Sequence, residues 1–200
     1  MHTKVISVLE SAEFLTRLNQ VNKHFPNLKQ ESLIRNSILE LLNEKFLGNE
    51  QRAFAEHPKV GTKRIDLSIH DQSNKQSFCI EFKFQFTNDF GMFINYKKLV
   101  DNDFHRILRD DIHCDMFILI VSRWNIQEKE DYEQQWGVHS SKQSLSKYLS
   151  KGTEWKDNLV ALFDNYSDVA QTMTIERTVN EPYKTDYSFY IMNRILNNGT

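Results

Sequence analysis

Cysteine is scarce in this sequence, since Cys79 and Cys114 are the only two among its 200 residues. Two cysteines are too few for a disulfide framework, and their spacing matches no metal-binding motif. We therefore expect no disulfide partner. A reducing, cytoplasmic environment is the natural expectation for such a chain.

Glycine, proline and long apolar runs are also in short supply. Three prolines and six glycines stand against fourteen phenylalanines, which favours a structured chain with few flexible linkers. No apolar run reaches the length of a membrane-spanning helix. The first residues include early acidic side chains and no small-residue cleavage site, so we expect no signal peptide. The length predicts one domain, residues 1–200.

An excess of positive charge is missing as well, because the formal net charge is −2. Proteins that bind nucleic acids often carry a basic surface, so this balance argues against such a partner. It does not exclude one, since basic side chains can be concentrated locally. A site that holds metal cations also needs acidic residues.

The spacing of apolar residues predicts a helix at 3–21 and a stronger helix at Lys29–Leu47. Three strands follow, joined by short connections that favour an antiparallel meander. The predicted strands are Gln51–His57, Arg64–His70 and Ser77–Phe86. Further elements are a helix at Asp89–Arg109, a strand buried on both faces at Cys114–Val121, helices at Ser140–Ser150 and Trp155–Phe163, and strands at Thr172–Val179 and Tyr187–Ile191.

The polar faces of two predicted strands carry a set of residues with possible chemistry. Asp66 lies on the polar face of Arg64–His70, and Glu81 and Lys83 lie on the polar face of the next strand. If the two strands pair through the turn between them, the three side chains can converge. The alternative is a half-exposed hairpin with cross-strand ion pairs.

Hydrolysis of a phosphodiester requires such a set. Two carboxylates can hold a hard divalent cation such as Mg²⁺, which prefers oxygen ligands. The cation polarises the phosphate and acidifies a bound water. An ammonium group beside it can orient that water or neutralise developing charge, a role that Lys83 can fill.

Asp66 followed by Glu81-Phe82-Lys83 resembles the PD-(D/E)XK signature of the restriction-endonuclease-like nucleases. The similarity covers roughly residues 29–122, and the remaining residues, 3–21 and 123–200, are elaborations of that core. The resemblance implies an α/β fold with a mixed central sheet flanked by helices, in the order α-β-β-β-α-β. It departs at Ile65, where the signature has proline.

The resemblance also implies roles for individual residues. Asp66, Glu81 and the backbone carbonyl of Phe82 correspond to metal ligands, and Lys83 to the catalytic lysine. Gln85 resembles an additional glutamine found two residues after the lysine in some branches. The cofactor implied is Mg²⁺, with Mn²⁺ able to substitute.

Many members add a glutamate from the first helix, for which Glu31, Glu40 and Glu44 are candidates. At about 100° per residue, Glu31 falls beside the apolar stripe and Glu40 points away, which favours Glu31. The alternative for Glu31 is a first-turn carboxylate that the helix dipole favours.

The predicted function is therefore a metal-dependent nuclease, most simply a DNA endonuclease of a restriction, defence or DNA-processing type. Lys59, Lys63 and Arg64 form a basic cluster that can contact phosphates or remain a solvated surface. A homodimer is expected by analogy with enzymes that cut both strands. The rival hypothesis is an inactive nucleic-acid-binding or protein-interaction module that retains the fold. The sequence leaves open DNA or RNA, the strandedness of the substrate, the recognition sequence and the role of residues 123–200.

Overall fold

The computed structural model of the chain describes residues 1–26, 28–57, 59–60, 63–86, 114–138, 163–168 and 170–195. These residues form the helices α1 (His2–Glu10), α2 (Ala12–His24) and α3 (Glu31–Leu41), a π-helical turn (Leu42–Phe46), the strands β1 (Gln51–Ala55), β2 (Lys59–Val60), β3 (Lys63–Arg64), β4 (Leu67–Asp71), β5 (Gln76–Phe86) and β6 (Met116–Trp124), the helix α4 (Ile126–Gln135), and the strands β7 (Ala170–Val179) and β8 (Thr185–Arg194). The predicted helices Asp89–Arg109 and Ser140–Ser150, and all but the end of Trp155–Phe163, lie outside the described residues.

Six of the strands form one mixed sheet in the order β1-β4-β5-β6-β8-β7. The antiparallel pairing of β1, β4 and β5 confirms the predicted meander. Strand β6 runs parallel to β5 and, Arg123 apart, is buried along its length, as its apolar run predicts. Strand β8 is antiparallel to both β6 and β7. This mixed α/β architecture is consistent with the predicted restriction-endonuclease-like fold.

Helices α1, α2 and α3 share one cluster of buried apolar side chains with the sheet. Ile34 and Ile38 of α3 belong to this cluster together with Ile80 and Phe82 of β5, and all four are fully buried. Each such side chain contributes about 1.5–3 kcal/mol to the free energy of unfolding. The apolar face of β5 is thus fixed against the helical layer.

The predicted single helix at 3–21 is wrong, because the chain forms two helices with a break at Ser11. Ser11 has an extended backbone, and its side chain accepts a hydrogen bond of 3.1 Å from the N–H of Phe14. Serine competes well for this N-cap position. The apolar spacing continues across the break because both helices bury a face in the same core, and so the periodicity alone conceals it.

The predicted strand Arg64–His70 is also interrupted. Strand β3 ends at Arg64, the chain bends at Asp66, and β4 begins at Leu67. Leu67 lies in the main core, whereas Ile65 is buried separately with Cys79. The bend separates Ile65 from the face that simple alternation assigns to it.

The helix α4 has no apolar stripe, and the periodicity of the sequence does not predict it. Its local signal is the N-cap, where the side chain of Asn125 accepts a hydrogen bond of 3.2 Å from the N–H of Glu128. Lys129 and Glu133, one turn apart, form a buried ion pair on this helix.

Among the helices of the described ranges, none is long and apolar enough to cross a membrane.

Candidate active site

Strand β5 changes its pairing partner half-way along its length. Residues Gln76 to Ile80 pair with β4, whose first residue, Leu67, lies opposite Ile80. Residues Ile80 to Phe86 pair with β6. Because the β4 ladder ends at Ile80, the backbone N–H groups that follow on that edge need other acceptors.

Asp66 supplies the first of these acceptors. The last pair between β4 and β5 is Leu67 with Ile80, and Asp66 immediately precedes Leu67. At the bend, Asp66 Oδ2 accepts a hydrogen bond of 2.8 Å from the backbone N–H of Phe82. The side chain of Asp66 is 25% exposed, so its carboxylate is anchored on β5 and still reaches solvent.

Glu31 supplies the second acceptor, from the first turn of α3. Its Oε2 accepts a hydrogen bond of 2.7 Å from the backbone N–H of Phe84. The same oxygen lies 3.4 Å from Lys29 Nζ. Glu40 and Glu44, the other helical candidates, instead pair with Arg17 on the protein surface. The structure therefore brings Glu31, and neither of the other two, to the strand that carries Glu81.

Ile80, Phe82 and Phe84 of β5 face the core. Because side chains alternate along a strand, Glu81 and Lys83 project from the face of β5 that points away from this core. Glu81 is only 5% exposed, and Lys83 is half-buried. The negative charge of Glu81 contributes to raising the pKa of two nearby thiols, those of Cys79 and Cys114. Burial raises the pKa of Cys79 to about 12, with the charges of Asp115 and Glu81 as further causes. Burial followed by the charge of Glu81 also raises the pKa of Cys114.

The second half of β5 thus carries a buried carboxylate and an amine, and two further carboxylates bind the backbone N–H groups along its edge. This geometry agrees with a comparison against protein families, in which the PD-(D/E)XK nuclease superfamily matches residues 17–176. The chain belongs to the PD-(D/E)XK nuclease superfamily. No curated protein and no solved structure matches the chain. Membership supports a nuclease-type function.

PD-(D/E)XK nucleases generally use divalent metals, and the chemistry of the donors here fits that use. Asp66, Glu81, Glu31 and the carbonyl of Phe82 offer only oxygen, which is what hard cations such as Mg²⁺ prefer. Within the part of the chain that is described, no three His, Cys, Asp or Glu side chains are gathered as a ready metal cluster. The donor type therefore fits, while the final coordination requires side-chain adjustment.

Two residues that the PD-(D/E)XK signature does not contain also contact this site. The guanidinium of Arg35 lies 3.8 Å from Asp66 Oδ1 and 3.6 Å from Glu56 Oε1. For Arg35, the sequence gives one indication that it belongs to the site, which is its position one helical turn after Glu31. For Glu56, which follows β1, the sequence offers no signal, because it meets Arg35 and Asp66 only in the folded chain.

The remaining predicted residues are placed less completely. Gln85 lies in β5, and Lys59 and Lys63 lie in the β2–β3 hairpin, but their side chains are outside the described part of the structure. Arg64 is exposed and pairs with Glu56. A catalytic role for Gln85, and a role for Lys59, Lys63 and Arg64 in binding nucleic acid, stay predictions.

Proposed function

We propose that the chain is a metal-dependent nuclease that cuts DNA internally by hydrolysing phosphodiester bonds. The observation that carries this proposal is the register of β4 and β5. The pairing ends with Leu67 opposite Ile80, and Asp66, the next residue, binds the N–H of Phe82, which lies between Glu81 and Lys83. By the alternation of the strand, Lys83 is on the same face of β5 as Glu81. Membership in the PD-(D/E)XK superfamily supports the reaction class.

Each residue has a defined task in this proposal. Asp66, Glu81 and the carbonyl of Phe82 would hold the ion, with Glu31 as a further carboxylate. A bound Mg²⁺ or Mn²⁺ would polarise the phosphate and lower the pKa of a bound water. The ammonium of Lys83 would orient that water or stabilise the charge that develops on the phosphate.

The rigidity of the site supports a catalytic role. Phe82 and Phe84 are buried in the core on one face of β5, while their N–H groups are bound by Asp66 and Glu31. The backbone of β5 is therefore held both by the core and by the carboxylates along its edge. Catalytic geometries depend on such support from the surrounding structure.

A cleavage assay tests the proposal. Supercoiled plasmid, linear DNA and RNA are each incubated with the protein in Mg²⁺, Mn²⁺ or EDTA, beside the variants Asp66→Ala and Lys83→Ala. We expect metal-dependent nicking or linearisation of plasmid by the wild type and a loss of at least about 100-fold in both variants. Circular dichroism confirms that the variants are folded.

Other outcomes of the cleavage assay would change the substrate, change the mode of cleavage or refute the enzymatic proposal. Cleavage of RNA alone would replace DNA as the substrate, whereas cleavage of linear DNA from its ends would replace the internal cut. The absence of cleavage with any metal, or equal cleavage by the folded variants, would refute the enzymatic proposal and favour a binding module. Light scattering during gel filtration tests the accompanying expectation of a homodimer.

A second measurement examines the metal site without catalysis. Ca²⁺ or Mg²⁺ should raise the melting temperature of the wild type more than that of Asp66→Ala, because a ligand stabilises the state that binds it. Equal shifts in both proteins would place the ion elsewhere.

A further inference from the structure

We propose that Arg35 and Glu56 are positioning residues for Asp66, and that Glu56 allows Asp66 to release Arg35 when Asp66 binds a divalent cation. This inference rests on the proposed role of Asp66 as a metal ligand. It concerns two residues that lie outside the PD-(D/E)XK signature.

The guanidinium of Arg35 is shared between two carboxylates. Its Nη1 lies 3.6 Å from Glu56 Oε1 and 3.8 Å from Asp66 Oδ1. Both distances are within the range of an ion pair, yet both are too long for a strong hydrogen bond. Arg35 is therefore committed to neither partner, and a small movement suffices to favour one of them.

The burial of Arg35 makes a second partner necessary. Its side chain is only 11% exposed, and a buried guanidinium is costly without a compensating charge. A divalent cation on Asp66 would repel Arg35 and engage the carboxylate that now compensates it. Glu56 can then hold the guanidinium alone, so that Arg35 does not have to compete for Asp66.

The backbone of Glu56 is an independent sign of constraint. Glu56 has φ 54°, a left-handed conformation that is uncommon for residues other than glycine. Its N–H also donates a hydrogen bond of 2.9 Å to the carbonyl of Asp66. The end of β1 is thus tied directly to the residue that we place in the metal site, which sets the side chain of Glu56 beside Arg35.

A simpler explanation is that Glu56 only lowers the local electrostatic potential or anchors Arg64, with which it also pairs. A double-mutant cycle separates these explanations. If Glu56 acts through Arg35, its removal has no effect once Arg35 is absent. If it acts as a bare charge, its removal has the same effect in both backgrounds.

The experiment is Ca²⁺ binding to the full chain without nucleic acid, measured by isothermal titration calorimetry. The proteins are the wild type, Asp66→Ala, Glu56→Gln, Arg35→Gln, the Arg35→Gln/Glu56→Gln double variant and Arg64→Gln. Glu40→Gln is the matched control, since Glu40 also pairs with an arginine and projects from the same helix as Arg35. Melting curves establish that each variant is folded.

We expect Glu56→Gln to weaken Ca²⁺ binding by about tenfold, because Arg35 then depends on Asp66 alone. Arg35→Gln should bind at least as tightly as the wild type, and the double variant should match Arg35→Gln. Arg64→Gln and Glu40→Gln should change the affinity less than about twofold.

Two other results would count against the inference in different ways. Binding that depends on Asp66 but is unchanged in Glu56→Gln, or equally weakened by Glu56→Gln with and without Arg35, would overturn the positioning role and leave the proposed function intact. Binding that is the same in the wild type and Asp66→Ala would overturn the metal site at Asp66 and, with it, this inference.

Discussion

Among the described residues, each half of β5 pairs with a strand along one edge only, and carboxylates bind backbone N–H groups on its other edge. In the first half, which pairs with β4, the N–H of Cys79 donates a hydrogen bond of 2.8 Å to Asp115 Oδ2, just before β6 begins. In the second half, which pairs with β6, Phe82 and Phe84 donate to Asp66 and Glu31.

The two halves differ in how far their carboxylates are removed from water. Asp115 is buried, whereas Asp66 and Glu31 are only partly buried. A buried carboxylate that binds backbone groups mainly stabilises the fold, while an anchored and accessible one can also meet a cation or a substrate. Carboxylates bind the N–H groups at both edges of β5. The buried one, Asp115, suits a structural role, and the accessible ones, Asp66 and Glu31, suit catalysis.

The largest expected effect is on the apolar face that both halves share. Phe82→Ala removes a fully buried ring, and we expect it to lower the free energy of unfolding by about 3–5 kcal/mol. Phe78→Ala, in the first half, removes a ring that is only partly buried and should cost less than half as much. Urea unfolding measures both variants. Equal losses would mean that the second half does not depend more strongly on its core contacts.

The next effect separates Asp115 from Asp66. Asp115→Ala should lower the free energy of unfolding by about 2–3 kcal/mol, because the buried N–H of Cys79 loses its acceptor. Asp66→Ala should lower it by about 1 kcal/mol, since the side chain of Asp66 is 25% exposed and its removal opens the N–H of Phe82 to water. Cleavage per folded molecule should show the reverse order. If Asp115→Ala abolished cleavage while remaining folded, the division into a structural and a catalytic half would be wrong.

The residues along β5 were predictable because a strand presents alternate side chains to alternate faces. Glu81 and Lys83 follow from that alternation, and their relation to Asp66 follows from the short turn that fixes the pairing with β4. The antiparallel meander of β1, β4 and β5 was predictable from the short connections between these strands, whereas the order of β6, β8 and β7 beyond it was not predicted. Alternation therefore predicts which residues share a face of a strand, and the short turn predicts how β4 and β5 pair.

The helix break, the bend and the contacts at the end of β1 were not predictable from the sequence. The interruption at Ser11 and the bend at Asp66 do not alter the apolar periodicity, because buried residues continue on both sides of each. The contact between Arg35 and Glu56 joins α3 to the residue after β1, and no local pattern in the sequence marks it. Local hydrogen bonds decide such features, and the spacing of apolar residues does not record them.

A smaller effect distinguishes Glu31 from the other acidic residues of its helix. Glu31→Ala removes the acceptor for the N–H of Phe84 and should lower the free energy of unfolding by about 1–2 kcal/mol. Glu40→Ala removes an exposed surface pair and should change it by less than about 0.5 kcal/mol. Hydrogen exchange gives a local readout, because the amide of Phe84 should lose protection only in the first variant. Unchanged protection of this amide would show that Glu31 does not hold the edge of β5.

The smallest effect concerns acid sensitivity at the turn that begins β5. The carboxylate of Asp71 accepts hydrogen bonds from the hydroxyl and N–H of Ser73 and from the side chain of Gln51, and these bonds lower the pKa of Asp71. A folded-state pKa below the unfolded-state value means that the ionised group stabilises the fold above about pH 4, and that this contribution disappears as the pH falls through the folded-state value. The wild type should therefore melt slightly above Asp71→Asn at pH 6, and the difference should close as the pH falls below about 4. Asp131→Asn, on the exposed side of α4, is the control. A difference that stays constant over this range would mean that ionisation of Asp71 does not stabilise the turn, and that the acid sensitivity of the protein originates elsewhere.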